Sequence, residues 1–209
     1  MMRILLCLLL WFASWQTSAK AVEYSDLVEK IINFQVFLND REVGSHEFRI
    51  VKKNRQIEVD SSLNIEFKAM GFFKVKYAHK ANEIWRDGCL QSLVSETQKR
   101  GKKINVEAQQ SDLGMVVKGL KSTQTLNGCV RTFAYWNPQF LYEDYLLNAE
   151  NGEYVPVAVT SSALVNSAGS KVSIDGSKVD IQLEYDTSGK WLSLQSELKM
   201  GGILRYVRQ

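Results

Sequence analysis

The sequence predicts a mostly β domain, an antiparallel meander curled into a half-open or closed barrel with one or two short helices. Three observations carry that expectation. From Gln56 to Phe67, the apolar residues Ile57, Val59, Leu63, Ile65 and Phe67 fall on odd positions and the polar residues Gln56, Glu58, Asp60, Ser62, Asn64 and Glu66 on even ones. This is the period of a strand with one buried and one wet face. The same alternation returns at Phe73, Val75 and Tyr77 and at Val179, Ile181, Leu183 and Tyr185, and one-sided patterning belongs to antiparallel sheets. Turn-forming clusters separate these runs at short intervals, so that strands adjacent in sequence pair with one another.

Along the chain, Met1-Met2-Arg3 precedes an apolar run from Ile4 to Trp15 and the small and polar residues Gln16 to Ala21. Charge, apolar core and small flanking residues make the grammar of a secretory signal peptide, cut after Ala19 or Ala21. The run is too short to stay in a bilayer as a stable anchor. Cys7 lies inside it, too near Arg3 for an ordinary acylation site. Residues 1–21 are therefore expected to be removed on export to the periplasm, and residues 22–209 to fold as a single β domain, a size that β barrels reach undivided.

A weak helix is expected near Ser25 to Lys30. Turns follow at Asn39–Gly44 and Lys52–Arg55, around the run in which His46, Phe48 and Ile50 share one face. The strand over Gln56–Phe67 is about twice the usual length, and a long twisted sheet with one greasy face must curl or be covered. Further turns fall at Arg100–Lys102, Asn151–Gly152 and Asp186–Gly189. Asn137 and Pro138 suit the cap and first position of a second helix, with Phe140, Leu141, Tyr145 and Leu147 near one face. The segment around Pro138 is the natural plug for the barrel.

The formal charge of +3 falls to +2 without Arg3 and to +1 without Lys20 as well. A protein that grips phosphate backbones carries a much larger excess, so nucleic acid is not an expected partner. Neither Cys-x-x-Cys, His-x-x-x-His nor a calcium-type acidic loop is present, and no metal or cofactor is implied. The basic tip Lys99, Arg100, Lys102, Lys103 reads as a solubilising hairpin end, or as a contact for anionic headgroups.

With Cys7 gone, Cys89 and Cys129 remain as an even pair in an oxidising compartment, and a disulfide is the default pairing, two buried thiols the alternative. Closing residues 89–129 contributes roughly 4 kcal/mol on the loop-entropy account. The bond would bring together Trp85-Arg86-Asp87-Gly88-Cys89 and Gly128-Cys129-Val130-Arg131, which runs on to Tyr135-Trp136-Asn137-Pro138. Trp85, Tyr135 and Trp136 then read as an aromatic pocket wall, and Asp87, Arg131 and Asn137 as its orienting polar groups. The competing reading makes them core aromatics beside a disulfide with ordinary turn residues.

The phrases Trp85-x-Asp87-Gly88-Cys89-Leu90 and Gly128-Cys129-Val130-x-x-Phe133-Ala134-Tyr135-Trp136-Asn137-Pro138 resemble those of a domain-of-unknown-function family of exported bacterial proteins. Leu146-Leu147-Asn148, Gly152-Glu153-Tyr154 and Leu204-Arg205-Tyr206 add to the likeness, which covers Phe34 to the C-terminus. It implies a bacterial periplasmic setting and a largely β fold, and carries over no catalytic residue.

Three functions remain in view. The first is a non-enzymatic periplasmic binding or carrier protein for an apolar or amphipathic small molecule such as a lipid, held on the concave face. The second is a packed barrel that binds another envelope protein through a sheet edge or the loop after Gly114. The third is a hydrolase, which would require His46 or His79 to activate a cysteine. Both histidines lie in phase with inward apolar positions, the pattern of a satisfied histidine near the sheet edge.

Overall fold

The computed structural model describes residues 28–69, 73–165, 168–177, 179–198 and 201–209. The expected signal peptide, residues 1–21, and residues 25–27 of the first expected helix lie outside them. Eight strands open the described chain: β1 (Val28–Leu38), β2 (Arg41–Lys53), β3 (Gln56–Ala69), β4 (Phe73–Arg86), β5 (Cys89–Lys99), β6 (Lys102–Ser111), β7 (Gly114–Lys118) and β8 (Thr123–Leu126). Each pairs antiparallel with the next. A crossing segment, 127–157, carries the hairpin β9 (Tyr145–Leu147) and β10 (Tyr154–Pro156). A second meander follows: β11 (Ala158–Ala163), β12 (Ser170–Gly176), β13 (Val179–Tyr185), β14 (Trp191–Glu197) and β15 (Ile203–Arg208).

β15 pairs with β1, setting Phe34 opposite Arg208 and Leu38 opposite Leu204. The two meanders thereby become one thirteen-stranded sheet that begins at β11 and ends at β8. Its curvature follows from ring positions. β2 and β14 stand three strand spacings apart, about 14 Å on a flat sheet, yet the rings of Phe48 and Trp191 meet at 5.3 Å.

The long alternating run is β3, in the expected register. Val43, His46, Phe48 and Ile50 of β2 are buried, as are Ile32, Phe34 and Val36 of β1. Tight reversals use the residues that tolerate a left-handed backbone: Asn39, Asn54, Asp87 and Arg100 all have φ between 52° and 55°. A bulge at Val36/Phe37 shifts the pairing with β2 and re-aims the side chains beyond it.

The crossing segment fills the concave side. Val130, Ala134, Leu141, Leu146 and Leu147 are completely buried or nearly so. It is tied to one wall by Ser95 Oγ donating to the Ala149 carbonyl, and to the opposite wall by the Tyr185 hydroxyl donating to the Tyr135 carbonyl at 2.8 Å. The plug expected around Pro138 is therefore present, but not as a helix. Pro138–Phe140 form a single 3₁₀ turn, capped by Asn137. A helix this short gains little from propensity, and the chain must extend again to reach β9.

The other expected helix is also replaced in part. Val28–Lys30 belong to β1, paired with Ile50–Lys52 of β2; a weak local preference yields to a long ladder.

Candidate functional site

Of the six residues singled out as ligand groups, Trp85, Asp87, Arg131, Trp136 and Asn137 lie where the plug meets the end of β4, whereas Tyr135 faces β14 and β13 on the other side. Trp85 is fully buried, stacks on Phe140 at 5.1 Å and meets Trp136 edge-on at 5.7 Å. Tyr135 lies 5.5 Å from Trp191. Asp87 pairs with Arg55 at 2.7 Å. Arg131 lies over the Phe140 ring, donates to the carbonyls of Gly88 and Gln139, and pairs with Glu143 at 2.9 Å. Asn137 Oδ1 accepts from the Gln139 N–H. The polar groups of Asp87, Arg131 and Asn137 are thus engaged within the protein. The Cys89–Cys129 disulfide pins this joint, and leaves no thiolate at either position for the cysteine hydrolase.

Glu83 belongs to the same joint. Burial pushes its carboxyl up to about 7, against the hydrogen bonds of Thr132 and Trp85, which lower it. A charged residue in phase with inward Ala81 and Trp85 was the signal in the sequence.

A second polar group of residues lies across the middle of the sheet. In one cross-strand row Phe34 faces His46, His46 faces Leu63, Leu63 faces His79 and His79 faces Thr97. His79 Nδ1 and Thr97 Oγ1 are 2.8 Å apart, and Thr97 Oγ1 donates to the Glu150 carbonyl at 3.3 Å. Burial lowers the pKa of His79 against the raising effect of Glu150.

His46 differs. It is 7% exposed, its ring lies 4.1 Å from Phe48 and 5.5 Å from Tyr206, and neither ring nitrogen has a hydrogen-bond partner. Burial, and then the charge of His79, push it down to about 3; it is neutral at physiological pH. The Tyr77 hydroxyl is also buried, and burial, then the charge of the Glu150 carboxylate and its hydrogen bond with Tyr77, raise its pKa. The Lys99 ammonium stands 5.8 Å from the Tyr77 ring. Alternation correctly turned both histidines inward. Their fates diverge because His79 has Thr97 opposite it, whereas His46 lies between Phe34 and Leu63.

Two grooves flank these residues. One, about 530 Å³, sits at the rim beside the Asn39–Asp40 turn, with Leu38, Val43 and Phe67 as its apolar lining and Asp40, Arg41 and Lys68 as its polar edge. The other, about 590 Å³, runs along the outer face of β2–β6. Several of its charges are paired on the protein: Arg49 with Glu29 and Asp60, Glu96 with Lys103, and Glu107 with Lys118. Among the described residues no group of three or more His, Cys, Asp or Glu is placed to hold a metal ion.

Curled sheet, internal plug and disulfide define a β-barrel-like domain, a fold compatible with non-enzymatic binding. The chain belongs to the family described as domain of unknown function (DUF6134), which matches residues 34–209. It is similar to the crystal structure of a beta-barrel-like protein of domain of unknown function DUF1849 from Brucella abortus, with a TM-score of 0.62 and 13% identity, covering 88% of this chain and 96% of that one. At that identity the likeness speaks for the fold alone. No curated protein matches the chain.

Proposed function

We propose that the protein is an exported, non-enzymatic binding or carrier protein for an amphipathic small molecule, a lipid being the leading class. The observation that carries this reading is the unpartnered His46 inside the curled sheet. A buried polar group without a partner costs roughly 1–3 kcal/mol, and such a cost is tolerated where the group serves a function. The groove at the Leu38–Phe67 rim, part apolar and part charged, supports an entry for an amphipathic molecule on the same sheet. The disulfide fits an oxidising compartment, in line with periplasmic export and removal of residues 1–21.

Native mass spectrometry of protein purified from its own periplasm tests the reading. A co-purifying small molecule, on a chain beginning at Lys20 or Val22, is expected. Only the bare mass, together with no uptake of fluorescent long-chain probes, would rule the carrier out.

One observation favours a second reading, an envelope interaction protein. β11 is an edge strand without a charged residue, exposed at every position but Val159. Such an edge is a template for strand addition. Cross-linking in cells followed by pull-down separates the two readings: a carrier retains its small molecule with no protein partner.

A further inference from the structure

We infer that the groove at the Leu38–Phe67 rim receives a free single-chain amphiphile ending in a carboxylate, its head at Arg41 and Lys68 and its chain on Leu38, Val43 and Phe67. The inference rests on the carrier reading and names the ligand class and its place of binding.

The sign of the charge at this groove is set by the bulge between β1 and β2. Val36 faces Gly44, but the next residue, Phe37, faces Glu42, and Val43 is the extra residue between them. Beyond it Leu38 faces Arg41. In an unbroken ladder Leu38 would face Glu42, and a carboxylate would stand beside the apolar lining. The bulge exchanges that acid for a guanidinium and sets Glu42 against Phe37, neither of which lines the groove.

The neighbouring charges keep both cations available. Asp40, the acid of the groove, pairs with Arg205 at 3.0 Å. Lys68 faces Lys74, whose ammonium pairs with Glu66, and the sequence holds no acid between Glu66 and Glu83. No ion pair among the described residues engages Arg41 or Lys68. The fork of a guanidinium matches the two oxygens of a carboxylate. A single negative charge suits the groove better than a double one, because the Asp40 carboxylate on its edge repels the second. The volume of about 530 Å³ lies inside the roughly 300–1,000 Å³ of small-molecule sites.

The test uses the mature protein in low-salt buffer at neutral pH and four pyrene-labelled probes of equal chain length: hexadecanoic acid, hexadecanol, hexadecylamine and hexadecyl phosphate. The acid is expected to bind about fivefold more tightly than the alcohol, the upper end of what an exposed ion pair contributes, and the amine more weakly than either. High salt should erase the difference. Exchanging the two charges at the bulge, Arg41→Glu with Glu42→Arg, keeps the net charge and should remove the acid's advantage over the amine. Arg41→Gln with Lys68→Gln should bring acid and alcohol level and leave the alcohol unchanged. Should the exchange fail to fold, the glutamine pair still decides the matter, since Arg41 and Lys68 are both exposed. An acid no tighter than the alcohol, a preference that survives the variants, or a phosphate tighter than the acid overturns the inference and leaves the carrier reading standing. Binding of none of the probes overturns both.

Discussion

The indole Nε1–H of Trp85 donates to Oε2 of Glu83 at 2.9 Å, two residues along the same strand and on the same inward face. A buried tryptophan thereby finds its acceptor, and a buried carboxylate one of its donors, where the plug leans on the wall. The arrangement has a pH signature.

The folded-state pKa of Glu83 lies near 7, above its ordinary value of 4.5. The native state therefore holds the proton more tightly than the unfolded chain, and Glu83's contribution to stability falls as pH rises from about 4.5 through 7, at most ~1.4 kcal/mol per pH unit. Glu83→Gln keeps an acceptor for Trp85 and removes the titration. It is expected to be more stable than wild type at pH 8 and to lose that advantage at pH 5, read from urea midpoints. Parallel curves from pH 5 to 8 would show that Glu83 ionises without cost.

His46 titrates with the opposite sense. Its folded pKa, near 3, lies below the usual 6.5, so the unfolded chain gains the proton first and stability drains away as pH falls from 6.5 toward 3. His46→Phe should flatten part of this acid limb, leaving the share of His79, and should raise stability at pH 7 by about 1–3 kcal/mol through loss of an unpaired buried group. Thermal melts at pH 4 and pH 7 check both effects. Lower stability at pH 7 would mean that the ring nitrogens are satisfied after all.

Replacing Cys89 and Cys129 together by serine should lower unfolding stability by roughly 4 kcal/mol, the closure entropy of the enclosed loop. Chemical denaturation of oxidised wild type against the double variant measures it. The non-reduced wild-type mass should sit two hydrogens below the reduced one.

Leu147 is fully buried in the plug, and Leu147→Ala should cost about 2–5 kcal/mol. Plug and barrel share one core, so tryptophan fluorescence and far-UV circular dichroism should still report a single coincident transition. Loss of the fluorescence signal ahead of the dichroism would mark the plug as a separate unit.

Much of this architecture is legible in the amino acids. Alternation alone locates β3 and β13, and the reversals at Asn39, Asn54 and Arg100 fall at turn residues the sequence announces. Less legible is anything set by neighbours distant in sequence. Asn137 and Pro138 do begin a turn, but its length is decided by the path from Phe140 to β9, which no local pattern encodes. The unpaired state of His46 depends on Phe34 and Leu63 standing beside it. The aromatic segments around the cysteines look like pocket walls in one dimension, whereas in three the rings of Trp85, Trp136 and Phe140 pack on one another.

The seam between β1 and β15 has a kinetic consequence. Ile203 N–H donates to Asn39 Oδ1 across 164 residues of chain, and such remote partners must meet before either earns much hydrogen-bonding or burial. Loop closure of that reach slows folding toward the millisecond-to-second range of all-β topologies. During that delay the greasy faces of Phe34 and Val36 stay available to one another's copies, so the yield of native protein should depend on concentration at the moment of refolding.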